Sequence, residues 1–218
     1  MGSMSLKKLG GLALVVGPML AVLSYLIRPG GGIIGGTVDP ADAEASIGVL
    51  LENGDLASIS VTLIPIGLVI MLFGFRVLTE SLSGSGAALS RLGFTFGLFG
   101  VVGWMIGSAL FATIASGNSV SVAGALYAAA LGINTLASIM AAFGFVAITY
   151  GIYLNEQWAH RKTLTLVIVV VQVVLLVSAV YAGMEITFQQ TAGMLGGGGY
   201  FLTVIWGILI GRELMADE

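Results

Sequence analysis

From Leu92 to Ser116 the chain runs 25 residues, LGFTFGLFGVVGWMIGSALFATIAS, without a charge or a proline. Glycines fall at Gly93, Gly97, Gly100, Gly103 and Gly107. At about 100° per residue they lie on one side of a helix, together with Trp104, Ser108 and Phe111. In water each such glycine would cost the helix about 1 kcal/mol relative to alanine. In lipid a glycine face lets neighbouring backbones approach, and packing is the main force between helices. The stretch is therefore expected to be a transmembrane helix at the centre of a bundle. Its glycines are expected to make close contacts within the chain, between copies in a homo-oligomer, or with a partner in a membrane complex.

The remaining sequence is of the same kind. Hydrophobic residues make up 57% and charged residues 9%, against roughly 25% charged in a soluble domain. That excludes a soluble globular fold. No basic cluster offers a surface to nucleic acid. Without a cysteine there is no disulfide, thiolate metal site or cysteine nucleophile. One histidine, His160, does not build a polyhistidine metal centre or a bis-histidine haem. No metal site is expected, and no cofactor is indicated. The only lysines, Lys7, Lys8 and Lys162, lie outside the apolar runs, which removes a Schiff-base lysine from the bundle.

Six apolar runs are long enough to cross a hydrocarbon core, which takes about 20 helical residues. They cover about 9–27, 56–75, 92–116, 133–154, 163–184 and 192–211. The fold class is all-α: a polytopic membrane bundle of six helices in one domain. Pro18 and Pro65 fall inside the first two spans and are expected to kink them. The outer segment 28–55 should hold a short surface helix, Ala41 to Asn53, with Asp39 as N-cap and Pro40 in the first helical position. Asp55 would cap the next helix. The uncharged stretch from Val120 to Leu154 would measure about 52 Å as one helix. It is expected to break near Gly132, leaving a peripheral or re-entrant helix before the fourth span, with a continuous, tilted and protruding helix as the alternative.

Lys and Arg orient the spans. With both termini inside, the inner set is Lys7, Lys8, Arg76, Arg91, Arg161, Lys162 and Arg212, and the outer set is Arg28 alone. The expected location is a prokaryotic plasma membrane with both termini cytoplasmic. Tyr150, Tyr153 and Trp158 would anchor the inner interface, and His160 would be solvated beside Arg161.

Polar groups within spans are the candidate site. Gln172 sits mid-span among valines, where it either contacts a ligand or makes one interhelical hydrogen bond, worth about 0.6–2 kcal/mol. Glu185, Gln189 and Gln190 precede Gly196 to Gly199, four glycines expected to unwind the helix beside a cavity. With Asn118 and Asn134 they would form an outward-facing pocket for a cation or small polar solute, or else a tight turn with solvated polar groups. Trp104, on the glycine side, is a candidate lipid or partner contact. No Walker loop, HExxH or GxSxG is present, and no acidic residue or histidine lies within a span, so no catalytic residue is expected.

The segment Asp39 to Leu56, and Phe143-Gly144-Phe145 through Tyr150-Gly151, give the chain a layout that resembles uncharacterised six-pass bacterial membrane proteins of about this length. These share an inner N-terminus, a long first outer segment and a glycine-bearing fourth span before a short charged loop. The resemblance implies the fold and carries no functional residues. The reading that follows is a non-enzymatic multi-pass protein that binds or passes a small solute or lipid. A structural or accessory subunit of a membrane complex is the second reading, and a membrane-embedded enzyme the third.

Overall fold

A computed structural model describes residues 4–31, 34, 36–117 and 120–216. Its α-helices are α1 (Leu6–Leu26), α2 (Ala43–Glu52), α3 (Gly54–Ser81), α4 (Ala87–Ala115), α5 (Ala123–Leu154), α6 (Lys162–Met184) and α7 (Gln189–Ala216). The six long helices are apolar enough to cross a membrane, and the chain is an all-α integral membrane bundle. Each long helix packs on the next one along the chain, and α7 returns to α1, so the bundle is a closed ring. Outward-facing side chains such as Leu12, Ile66, Phe99, Val170 and Phe201 are exposed, as a lipid-facing surface requires.

This ring revises the place of the glycine-faced helix. α4 is one of six wall helices, flanked by α3 and α5, and not the centre. The centre is the axis of the ring. It is filled by side chains at the end carrying the two termini, among them Leu14, Met71, Phe75, Trp206 and Leu214.

Small residues set the spacing at several interfaces. A Cβ on Gly144 of α5 would lie 2.5 Å from the Gly97 nitrogen of α4, and one on Gly93 would lie 2.5 Å from the Gly144 carbonyl oxygen. Between α1 and α3, a Cβ on Gly67 would lie 2.7 Å from the Gly17 oxygen, and one on Gly74 2.8 Å from the Gly10 oxygen. A Cβ on Gly211 of α7 would lie 2.6 Å from the Gly11 oxygen of α1. Any side chain at these points would force two backbones apart.

The stretch expected to break near Gly132 does not break. A 3-10 turn, Val120–Val122, leads into one helix of 32 residues, about 48 Å long at 1.5 Å per residue. Nothing lies within 4 Å of the Cβ position at Gly132, so no contact demands a bend there. The extra turns are not peripheral, because Tyr127 and Ala130 are buried with Phe111 and the α2 residue Leu50. The glycine run Gly196–Gly199 likewise stays helical within α7. Helical backbone in an apolar setting satisfies its own hydrogen bonds, and that outweighs the weak intrinsic propensity of glycine. α1 and α3 also continue through Pro18 and Pro65.

Other boundaries move too. α3 runs past Arg76, which pairs with Glu80 at 2.9 Å, and α4 begins at Ala87, so most of the stretch between the expected second and third spans is helical. Asp42, not Asp39, caps α2 by accepting from the Ala45 N–H at 3.0 Å. α3 begins at Gly54 without a side-chain cap, so Asp55 lies in its first turn. Trp158 is 2% exposed and belongs to the core instead of the interface. Its neighbour His160 pairs with Glu213 at 2.7 Å.

Candidate functional site

A cavity of about 470 Å³ lies inside the ring, and side chains from all six long helices line it. It reaches from Arg28 and Pro40, at the end that carries α2, to Gln172, Thr203 and Phe145 in the interior. Below it the axis is closed by aromatic packing. Phe75 meets Phe145 edge-on at 5.4 Å and stacks on Trp206 at 6.2 Å. The closure is anchored where Trp206 Nε1 donates to Thr165 at 3.3 Å.

The floor is polar at one point. Gln172 of α6 is 2% exposed, and its Nε2 donates to Thr203 Oγ1 at 2.6 Å. Thr203 in turn donates to the Gly199 carbonyl at 2.8 Å. Both Gln172 and Thr203 line the cavity wall. On α6 Ser178 lines the cavity, and its buried Oγ has no hydrogen-bond partner among the described residues. Unsatisfied buried polar atoms are rare in native proteins, and one on the cavity wall marks a place for a ligand or water.

Midway up, Trp104 Nε1 donates to Ser138 Oγ at 3.2 Å, and Ser138 donates to the Asn134 carbonyl at 2.8 Å. The Asn134 side chain packs against Gly107, which leaves room for nothing larger there. Nearer the α2 end, Gln189 Nε2 donates to Thr135 Oγ1 at 3.3 Å and to the Ala182 carbonyl at 2.8 Å. The α2 segment is tied over this end by the Tyr127 hydroxyl, which donates to the Pro40 carbonyl at 2.8 Å.

Arg28 follows the end of α1. Its guanidinium lies over the Phe111 ring at 4.8 Å. Among the described residues no carboxylate comes within ion-pair distance of it. Burial holds its pKa below the ordinary arginine value, against an opposing pull from Tyr25 and Tyr127. Arginine nonetheless stays protonated in proteins.

Of the residues singled out from sequence, the cavity brings together Trp104, Asn134, Gln172 and Gln189. Glu185 and Gln190 are not on its wall. Glu185 is exposed and caps the 3-10 turn Ile186–Phe188, accepting from the Thr187 hydroxyl at 2.9 Å. Asn118 lies outside the described residues. The packing glycines Gly93, Gly100, Gly103 and Gly107 face α5, and a Cβ on Gly100 or Gly103 would lie 2.7 Å from the Cβ of Ala141 or Ala137; a Cβ on Gly97 would instead meet Leu72 of α3 at 3.8 Å. Sequence reasoning missed Ser138, Ser178 and Thr203, whose hydroxyls are common in membrane helices and gave no separate signal. It read Arg28 only as a topology marker, although an arginine directly after a span was a cue.

Comparison of the chain with protein-family models, with curated proteins and with solved structures gave no match.

Proposed function

We propose that this protein binds a small, largely apolar molecule in the cavity enclosed by its six helices. The observation that carries the reading is a cavity of about 470 Å³ whose mainly apolar wall holds the Gln172 amide and the buried Ser178 hydroxyl, the latter without a hydrogen-bond partner among the described residues. Small-molecule sites have roughly 300–1,000 Å³ and a few placed polar groups of this kind. Binding is favoured over passage because the axis beyond Gln172 is filled by Phe75, Phe145 and Trp206. The accessory-subunit reading loses its main support, since α5 occupies the glycine face of α4. The positive residues and the six-pass bacterial layout favour a bacterial plasma membrane, both termini cytoplasmic and the α2 segment outside.

The test is ligand binding in a bilayer nanodisc. A terminally brominated long-chain alcohol should quench Trp104, measured in a Trp158→Phe, Trp206→Phe background. The Ser178→Phe variant, which fills the cavity from its wall, should abolish that quenching while the circular dichroism stays helical. Quenching that Ser178→Phe leaves unchanged would come from bilayer lipid alone and would refute the site.

A further inference from the structure

We propose that Arg28 is the anion-binding end of this cavity, taking the acid group of a single-chain amphiphile whose apolar tail runs inward toward Gln172. The inference rests on the cavity being a ligand site and adds the ligand's chemical class. Among the described residues that line the cavity, Arg28 is the one that carries a charge. Its guanidinium has one close partner, the Phe111 ring, and that interaction leaves its N–H edge without an acceptor among the described residues. The two aspartates ahead of α2 cap local backbone. Asp39 accepts from the Ala41 N–H at 2.9 Å, and Asp42 from the Ala45 N–H at 3.0 Å.

Arg28 is half-buried, and a partly desolvated cation without a counter-charge is favoured where a partner arrives to neutralise it. The planar fork of an arginine fits a carboxylate or a phosphate monoester through two parallel hydrogen bonds. Such charge-assisted bonds are strongest where water is scarce. Burial lowers the Arg28 pKa, in keeping with a site that an incoming anion would relieve.

The rest of the wall selects the body of the ligand. Ala21, Val61, Leu68, Ala142 and Leu175 line the way inward. A free inorganic anion would leave that surface unfilled. A two-chain phospholipid exceeds a cavity of about 470 Å³. One acyl chain with an acid head matches both the size and the single charge.

The test compares terminally brominated undecanoic acid, the matching undecyl phosphate and the matching alcohol in nanodiscs of uncharged lipid, with Trp104 quenching as readout. The wild type should bind both acids at least ten-fold more tightly than the alcohol. Arg28→Gln should bring the acids down to the affinity of the alcohol and leave alcohol binding intact, which also shows that the variant is folded. Arg28→Lys should keep part of the preference. Equal binding of acid and alcohol by the wild type, or an unchanged preference in Arg28→Gln, overturns the proposal and leaves the cavity reading standing. Inorganic phosphate that displaces the acids at millimolar concentration would point to a free-anion site and also overturn it. If no probe quenches Trp104 in a Ser178→Phe-sensitive way, the cavity reading fails and this inference with it.

Discussion

Gln172 of α6 and Thr203 of α7 are joined across the cavity floor by a 2.6 Å hydrogen bond. The bond joins two residues that both line the cavity. It is at once a helix contact and part of the candidate site, and the two roles separate by measurement.

Gln172→Leu should lower the thermal midpoint modestly, because a single interhelical hydrogen bond in a membrane is worth about 0.6–1.7 kcal/mol. Thr203 keeps its bond to the Gly199 carbonyl, so no buried hydroxyl is stranded. A probe with a polar tail end should bind less well to this variant. Unchanged binding of that probe would leave Gln172 as a helix contact only. Thermal unfolding in detergent and probe titration provide the two readings.

Gly144→Leu should prevent the bundle from assembling. The α4 backbone would lie 2.5 Å from its Cβ, and neither helix can yield without opening the ring. Expression yield and monodispersity in size-exclusion chromatography are the measurements, and a stable, monodisperse variant would refute the close α4–α5 contact.

Gly132→Ala and Gly198→Ala should be neutral or stabilising, by up to about 1 kcal/mol each, since alanine is the better helix former. Both positions are helical, and nothing lies within 4 Å of either Cβ position. If α5 bent at Gly132, or α7 unwound at Gly198, the substitutions would destabilise instead. Thermal unfolding decides between the two.

Phe75→Ala removes the ring that stands between Phe145 and Trp206, and should cost about 3–5 kcal/mol, as such core truncations do. Phe75 is 1% exposed, so the surroundings have little freedom to collapse into the void. Chemical denaturation in mixed micelles measures the loss. A loss below about 1 kcal/mol would show that the axis is not packed as described.

Orientation has a direct test, because the chain has no native cysteine. Ala45→Cys on α2 and Ser83→Cys in the loop before α4 both occupy exposed positions. A membrane-impermeant maleimide applied to intact cells should label the first and not the second. The reverse pattern would overturn the orientation drawn from the lysines and arginines.

The sequence by itself determined the membrane class and the number of spans. Runs such as 163–184 have no charge, and an uncharged run of that length has few homes other than lipid. Leu92–Ser116 was legible as a helix for the same reason, and Gln172 stood out because a mid-span amide is rare. Only the tertiary structure decided which helices meet. Gly17 against Gly67, and Gly11 against Gly211, make contacts as close as those of the α4 glycines. Nothing local distinguishes a glycine that faces a backbone from Gly132, which faces nothing. The ring also decided the fate of Arg28. In one dimension it is a charge that ends a span; in three it closes over Phe111 beside a cavity that distant segments enclose. Helix formation in lipid is set by the residues of one segment, because each segment satisfies its own backbone. A cavity is set by surfaces that the chain brings together from all its helices, and no single stretch of sequence contains it.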